Sequence, residues 1–417
     1  MVRGPVLFCC FFLPCIFVQA QSITKESVVK TAGKIVAYLA SDSLKGRGNY
    51  TPELQIAAAY IEKHFDTLGL LTLPGTDRYI NPVDYKMHPD VLYDLVINSE
   101  KINDNDYLLL SASFFQPIHD FKNYNYKEFK AIPTALEWMQ LFNDSLPLVL
   151  NFKVSDAIWK DSLIIPAGRP TNPILILKNQ AVPNLLKLAL QPASQQVLMN
   201  LIGVLPGKSK PGDVILFSAH YDHQPPGKSR KDSIFNGAND NASGTAALMM
   251  LAQHFAKESN NERTIIFCAF AGEELGLLGS KDLVKKINTG KIIAHVNMDM
   301  VGISQYRKKG FLLTGSSFGQ VYKIFSKNLK DTGYKVHGDY DEERNLFRRS
   351  DNYPFAAEGV PAHTIMTADD SSICYHQACD EIKNVDIENI ANTVEAIILA
   401  TSTLINGIDT PKRIYGK

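Results

Sequence analysis

Four short acidic or histidine-bearing motifs fall between Ser218 and Asp299: His220-Tyr221-Asp222, Asn239-Asp240-Asn241, Gly272-Glu273-Glu274 and Asn297-Met298-Asp299. Each lies at or near the end of an apolar run, where a parallel α/β sheet presents reactive side chains. A fifth element, Tyr375-His376, lies farther on. Imidazole is a good zinc ligand, and a carboxylate near it can accept the other ring N–H and fix the ring. His220 with Asp222 has those parts, although a surface histidine beside an acid has them too. Asp240 sits in a tight Gly- and Asn-rich loop just ahead of a predicted helix. It could cap that helix, or its two oxygens could bridge two cations. Glu273 and Glu274 end a buried apolar strand, where adjacent carboxylates repel and are desolvated unless cations are present. Neighbouring residues point differently, so the two acids suit different roles, one on metal and one on water. Asp299 interrupts the apolar string Val296, Met298, Met300 and Val301. Two histidines, a shareable Asp, one Glu, one Asp and a spare Glu are the layout of a two-metal hydrolase. Among other histidines, His64 and His254 lie on helices and read as packing or surface residues. His223 could line such a site without being a ligand.

The elements that must hold these residues in place follow from periodicity. Apolar residues at helical spacing predict helices over 27–39 and from about 56 to 65, then 243–257, 277–287, 320–329, 352–358 and 387–404. Continuous apolar runs predict strands over 197–205, 213–219, 263–270, 292–298, 310–314 and 361–366. The first two strands read as neighbours joined by a turn through Pro206-Gly207 and Pro211-Gly212. Between 77 and 193 the helical period fades and short β-prone runs replace it, such as Tyr107 to Leu110, Leu148 to Phe152 and Ile174 to Leu177.

Composition narrows the class. Of 417 residues, 45% are hydrophobic and 21% charged, which is a globular rather than a disordered balance. Lys+Arg and Asp+Glu are both 43, so charge gives no argument for a nucleic-acid partner. Arg3, the apolar run from Val6 to Val18 and the compact residues Val18-Gln19-Ala20 predict a signal peptide at 1–20, cut after Ala20. The run is short for a bilayer span, so export without stable membrane insertion is expected, to a periplasmic or secreted destination. Three of six cysteines leave with that segment. Of the rest, Cys268 reads as a small buried hydrophobe, and Cys374 and Cys379 flank His376 and could pair.

The ordered set of motifs resembles the M28 family of metallopeptidases, the zinc aminopeptidases. The likeness is carried by His220-Tyr221-Asp222, Gly237-Ala238-Asn239-Asp240-Asn241 with Ser243-Gly244, Gly272-Glu273-Glu274, Asn297-Met298-Asp299 and His376. Leu44-Lys45-Gly46-Arg47 and Ser350-Asp351 add to it, while Asn352 departs from the His that many relatives carry. The resemblance implies an α/β fold with a mixed, largely parallel central sheet flanked by helices, here with an inserted, mostly β subdomain at 77–193. The peptidase domain would then comprise 21–76 and 194–417. It also implies two zinc ions per chain. His220 and Asp299 would hold one, Glu274 and His376 the other, and Asp240 would bridge them. Glu273 would be the general base, Asp222 would orient His220, and peptides would be the substrates. Two alternatives share the fold. A glutaminyl cyclase, an acyltransferase with one zinc, fits the Asp240-Asn241-x-Ser243-Gly244 context less well. A non-catalytic binding homologue would be expected to lack ligands or base, and all six positions are filled.

Overall fold

The computed structural model describes residues 25–84, 197–226, 234–305, 309–339 and 344–414. Between 93 and 190 it also describes 93–98, 100–102, 107–110, 124–131, 133–144, 146, 148–154, 174–181 and 186–190. The expected signal peptide lies outside the described residues.

Fifteen strands are described: β1 (Ile80–Pro82), β2 (Tyr93–Ile97), β3 (Glu100–Lys101), β4 (Tyr107–Leu110), β5 (Asn125–Phe129), β6 (Leu148–Phe152), β7 (Ile174–Lys178), β8 (Leu186–Leu190), β9 (Met199–Leu205), β10 (Lys210–His220), β11 (Arg263–Phe270), β12 (Ile292–Met298), β13 (Gly310–Leu313), β14 (Lys335–Gly338) and β15 (Ala362–Met366). Eight of them form one mixed sheet in the order β1-β9-β11-β10-β12-β15-β13-β14. Its centre, β11-β10-β12-β15, is parallel throughout.

Alternation along these strands feeds two cores. Ile215, Phe217, Ala219, Ile265, Phe267 and Ala269 face one side, against helices Gly244–Glu258, Pro52–Thr67 and Ile387–Ile405. Val214, Leu216, Ile266, Cys268 and Phe270 face the other, against Leu283 of helix Leu278–Lys286 and Phe355 of helix Asn352–Ala357. Period-2 side-chain direction therefore explains why these strands read as unbroken apolar runs: both faces are covered. The crossover leaving β10 runs one way along the sheet to β11. The one leaving β11 runs back past β10 to β12, so their helices lie on opposite faces. Right-handed crossovers require that, and a crevice opens at the carboxyl ends of β10 and β11.

One expectation is corrected. β9 and β10 are not neighbours, because β11 lies between them and pairs antiparallel with β9 and parallel with β10. The link from Leu205 to Lys210 passes over the start of β11, with the Lys208 N–H donating to the Asn261 carbonyl. Gly207 permits this, since a Cβ there would sit 2.5 Å from the Glu262 carbonyl oxygen.

The stretch from 93 to 190 contains a three-stranded sheet (β3-β2-β8), a four-stranded sheet (β4-β7-β6-β5) and helix Ala135–Phe142. A capping box in which Thr134 and Glu137 reciprocate starts that helix. β1 hydrogen-bonds to β9, and the Val83 N–H donates to the Leu198 carbonyl. Residues 80–83 thus lie with the large sheet, slightly beyond the boundary expected at 77. Among the described residues no helix is long and apolar enough to cross a membrane.

Candidate metal centre

The carboxyl ends of β10, β11 and β12 and two loops converge on one cluster. One donor atom each from His223, Asp240, Glu274 and His376 lie within 4.8 Å of one another, as do those of His220, Glu273 and Asp299. All seven residues singled out from the sequence lie at this cluster, and His223 joins them.

The Asn239-Asp240-Asn241-x-Ser243 spacing has a local cause. Asn239 Oδ1 accepts the Gly302 N–H, Asn241 Oδ1 accepts the N–H groups of Gly244 and Met300, and Ser243 Oγ accepts the Val301 N–H. Asn241 Nδ2 donates to the Met298 carbonyl. Three alternate side chains thereby stitch the loop to the end of β12. Asn241, rather than Asp240, serves the start of the following helix, which leaves the Asp240 carboxylate free. That carboxylate lies between two histidines, with Oδ1 3.5 Å from His220 Nε2 and Oδ2 3.2 Å from His376 Nε2. His220 Nε2 is also 3.4 Å from Asp299 Oδ1, and His376 Nε2 is 3.2 Å from Glu274 Oε1.

These distances test whether zinc fits. Tetrahedral bonds of about 2.0–2.1 Å place neighbouring donor atoms roughly 3.3–3.4 Å apart. The four contacts span 3.2 to 3.5 Å. Asp299 Oδ1 and His376 Nε2, one in each half of the cluster, are buried without a hydrogen-bond partner, as expected of atoms that would face cations. The donor set, imidazole and carboxylate, is of a type zinc accepts.

The adjacent glutamates are driven apart electrostatically. Burial pushes the Glu273 carboxyl well above the usual range; Glu274 and Asp299 add to this, and His220 opposes it. Burial also pushes Glu274 upward, but His223 and His376 outweigh it and hold that carboxyl well below the usual range. Divergent pKa values in a close pair mark one group for carrying a proton and the other for staying ionised. Here Glu273 is pushed toward its protonated form and Glu274 toward its ionised form.

Asp222 makes contacts the sequence did not suggest. Its carboxylate accepts the N–H groups of Glu273 and Glu274 and a bond from Asn49 Nδ2. His220 Nδ1 is 3.7 Å from that carboxylate but 3.2 Å from the Asp222 backbone oxygen. Asp222 thus ties the two glutamates to the end of β10. His223, expected only to line the site, is buried with Nδ1 2.8 Å from Glu274 Oε1. With its proton on that nitrogen it orients the Glu274 carboxylate. The signal was its position three residues after His220, beyond the strand end, where a sequence gives no direction. Ser350 Oγ donates to Asp299 Oδ2 and leaves Oδ1 free.

Arg47 anchors the site from behind. Its buried guanidinium donates to the carbonyls of Leu39, Tyr221, Asn236 and Gly237, and burial lowers its pKa to about 10. Arg47→Ala would leave these carbonyls unpaired. It is expected to destabilise the fold by roughly 2–4 kcal/mol in urea unfolding. Arg47→Lys should restore part of that, since a three-donor ammonium cannot serve four acceptors.

Residues 200–401 match the family model described as Peptidase family M28. Aminopeptidase YwaD of Bacillus subtilis (strain 168) is 27% identical over 235 residues, 54% of this chain and 49% of that protein. An aminopeptidase of Pseudomonas aeruginosa (strain UCBPP-PA14) is 26% identical over 223 residues, 47% of this chain and 40% of its own length. The chain therefore spans about half the length of these curated relatives or less. Among solved structures, BSAP, a zinc aminopeptidase from Bacillus subtilis, superposes with a TM-score of 0.64 at 18% identity, covering 91% of this chain and 95% of that one. An aminopeptidase from Aneurinibacillus sp. strain AM-1 gives 0.54 at 17% identity, covering 93% and 96%. These structures share the fold.

Proposed function

The chain belongs, through residues 200–401, to peptidase family M28, and from that premise we propose that it is a zinc-dependent exopeptidase removing N-terminal residues from peptides. The observation that carries the reading is the Asp240 carboxylate, with one oxygen toward His220 and the other toward His376. On this reading His220 and Asp299 hold one zinc ion, Glu274 and His376 a second, and Asp240 both. Zinc bound there supplies Lewis acidity, polarising a peptide carbonyl and making a water more acidic. Glu273 takes the proton of the attacking water and returns it to the leaving amine. Its backbone, fixed by Asp222, keeps the carboxylate at the cluster while Glu274 stays ionised as a ligand. Burial of His220, Asp222 and Asn241 keeps bulk water from the inner side of the cluster.

Export is part of the proposal. The N-terminal apolar run and the Cys374–Cys379 disulfide both suit an oxidising compartment outside the cytoplasm. Amino-terminal sequencing of the protein recovered from cells should begin at Gln21; a chain still starting at Met1 would refute processing after Ala20.

Aminoacyl-anilides test the activity. Release of the N-terminal residue should stop on chelation and return with zinc. Activity indifferent to the chelator would refute zinc dependence. Cyclisation of an N-terminal Gln peptide without anilide hydrolysis would point to acyl transfer instead.

A further inference from the structure

A single closed turn, Cys374 to Asp380, reaches the site in two ways. Cys374 and Cys379 are joined by a disulfide, with Cα atoms 5.2 Å apart. Within the turn the Gln377 N–H donates to the Cys374 carbonyl, and the Asp380 N–H to the Gln377 carbonyl. His376, which projects toward Asp240 and Glu274, has φ of +52°, a left-handed conformation a histidine keeps only when its surroundings impose it. The Tyr375 ring stacks on it at 3.9 Å. The residue after the disulfide completes the link. Asp380 is buried, and its two carboxylate oxygens accept the N–H groups of Asn239 and Asp240 at 2.8 and 3.0 Å. Its own carbonyl accepts the Ala238 N–H. One turn therefore carries one donor of the cluster and grips the backbone of another.

We infer that the Cys374–Cys379 disulfide and the Asp380 carboxylate are positioning elements that preset the His376–Glu274–Asp240 half of the centre for its zinc ion. This rests on the two-zinc reading above. Apart from the shared Asp240, the other half touches neither: His220 ends strand β10, Asp299 directly follows β12, and Ser350 holds Asp299. Opening the turn frees His376 to leave its left-handed conformation, so zinc binding must then bear the cost of ordering it. The two halves should differ in their dependence on the turn.

The test is a zinc titration of metal-free protein against a competing chelating dye. It compares wild type, Cys374→Ser with Cys379→Ser, and Asp380→Asn. In the double-serine variant one of two sites should weaken about 10–100-fold while the other stays within about threefold, and Asp380→Asn, which also loosens the shared Asp240, should weaken that same site the more of the two. At saturating zinc the double-serine variant should regain the wild-type kcat on an aminoacyl-anilide, a rescue that general misfolding would not allow. If a variant does not fold, the folded wild type is treated with a phosphine. Its phosphorus supplies two electrons, leaves Cys374 and Cys379 as thiols and takes water oxygen to become the phosphine oxide. The same single site should weaken, and reoxidation should restore it. Equal affinities before and after opening the turn, or equal weakening of both sites, would overturn the inference. Fewer than two zinc ions on the wild type would instead overturn the two-zinc reading itself.

Discussion

Glu273→Gln is expected to lower kcat by about 10²–10⁴-fold, the usual contribution of a positioned general base, while metal content stays at the wild-type value. The change is nearly isosteric and leaves intact the backbone bond from the Glu273 N–H to Asp222. It removes only the capacity to accept and return a proton. The environment of Glu273 suits proton transfer, because burial pushes its carboxyl up and a proton taken from water is held until a leaving amine needs it. Glu274, one residue on, is held in the opposite direction by His223 and His376. Glu274→Gln should consequently lose metal rather than spare it. Stopped assays with elemental analysis of the same samples separate the two outcomes. Metal-loaded Glu273→Gln protein with normal turnover would remove Glu273 from the mechanism.

Asp240→Ala carries the second large effect. A carboxylate shared by two ions contributes one donor to each, so its loss should cut zinc content from about two per chain to below one, with turnover falling by at least about 10³-fold. The fold should survive this better than it survives loss of Arg47. Asn239, Asn241 and Ser243 keep the loop stitched to the end of β12 without any contribution from the Asp240 side chain. In the metal-free protein the Asp240 carboxylate pairs with His376 and, against the effect of burial, helps raise its pKa to about 10, so metal-free Asp240→Ala should melt somewhat lower than metal-free wild type. Two zinc ions retained per chain would contradict the bridging role.

Among the proposed ligands, His220, Glu274 and Asp299 were legible because each lies at the end of an apolar run or interrupts one, and charge at such a place needs a partner; Asp240 and His376 lie in polar loops. Asp299 within Val296 to Val301 is the clearest case, and the strand ending at Met298 puts it at the carboxyl edge of the sheet. His223 was harder to read. It lies past the end of β10, where period-2 reasoning no longer assigns a direction, and only the approach of the Gly272 turn brings Glu274 within 2.8 Å. Asp222 was read as a partner of His220 because the two are neighbours in sequence. Its strongest contacts, to the Glu273 and Glu274 N–H groups and Asn49, come from distant segments. The same limit produced the error at β9 and β10. Pro206-Gly207 and Pro211-Gly212 look like a hairpin turn, and nothing local shows that β11 will insert between the strands. Asp380 shows the limit at its sharpest: it was not singled out from the sequence, and its carboxylate holds backbone 140 residues away.

If five side chains hold two zinc ions with Asp240 between them, anomalous diffraction at the zinc edge, from crystals of zinc-loaded protein, will show it directly. The predicted map has two peaks per chain, one between His220 and Asp299, the other between Glu274 and His376, and both in contact with Asp240. A single peak, or peaks that do not touch Asp240, would contradict it.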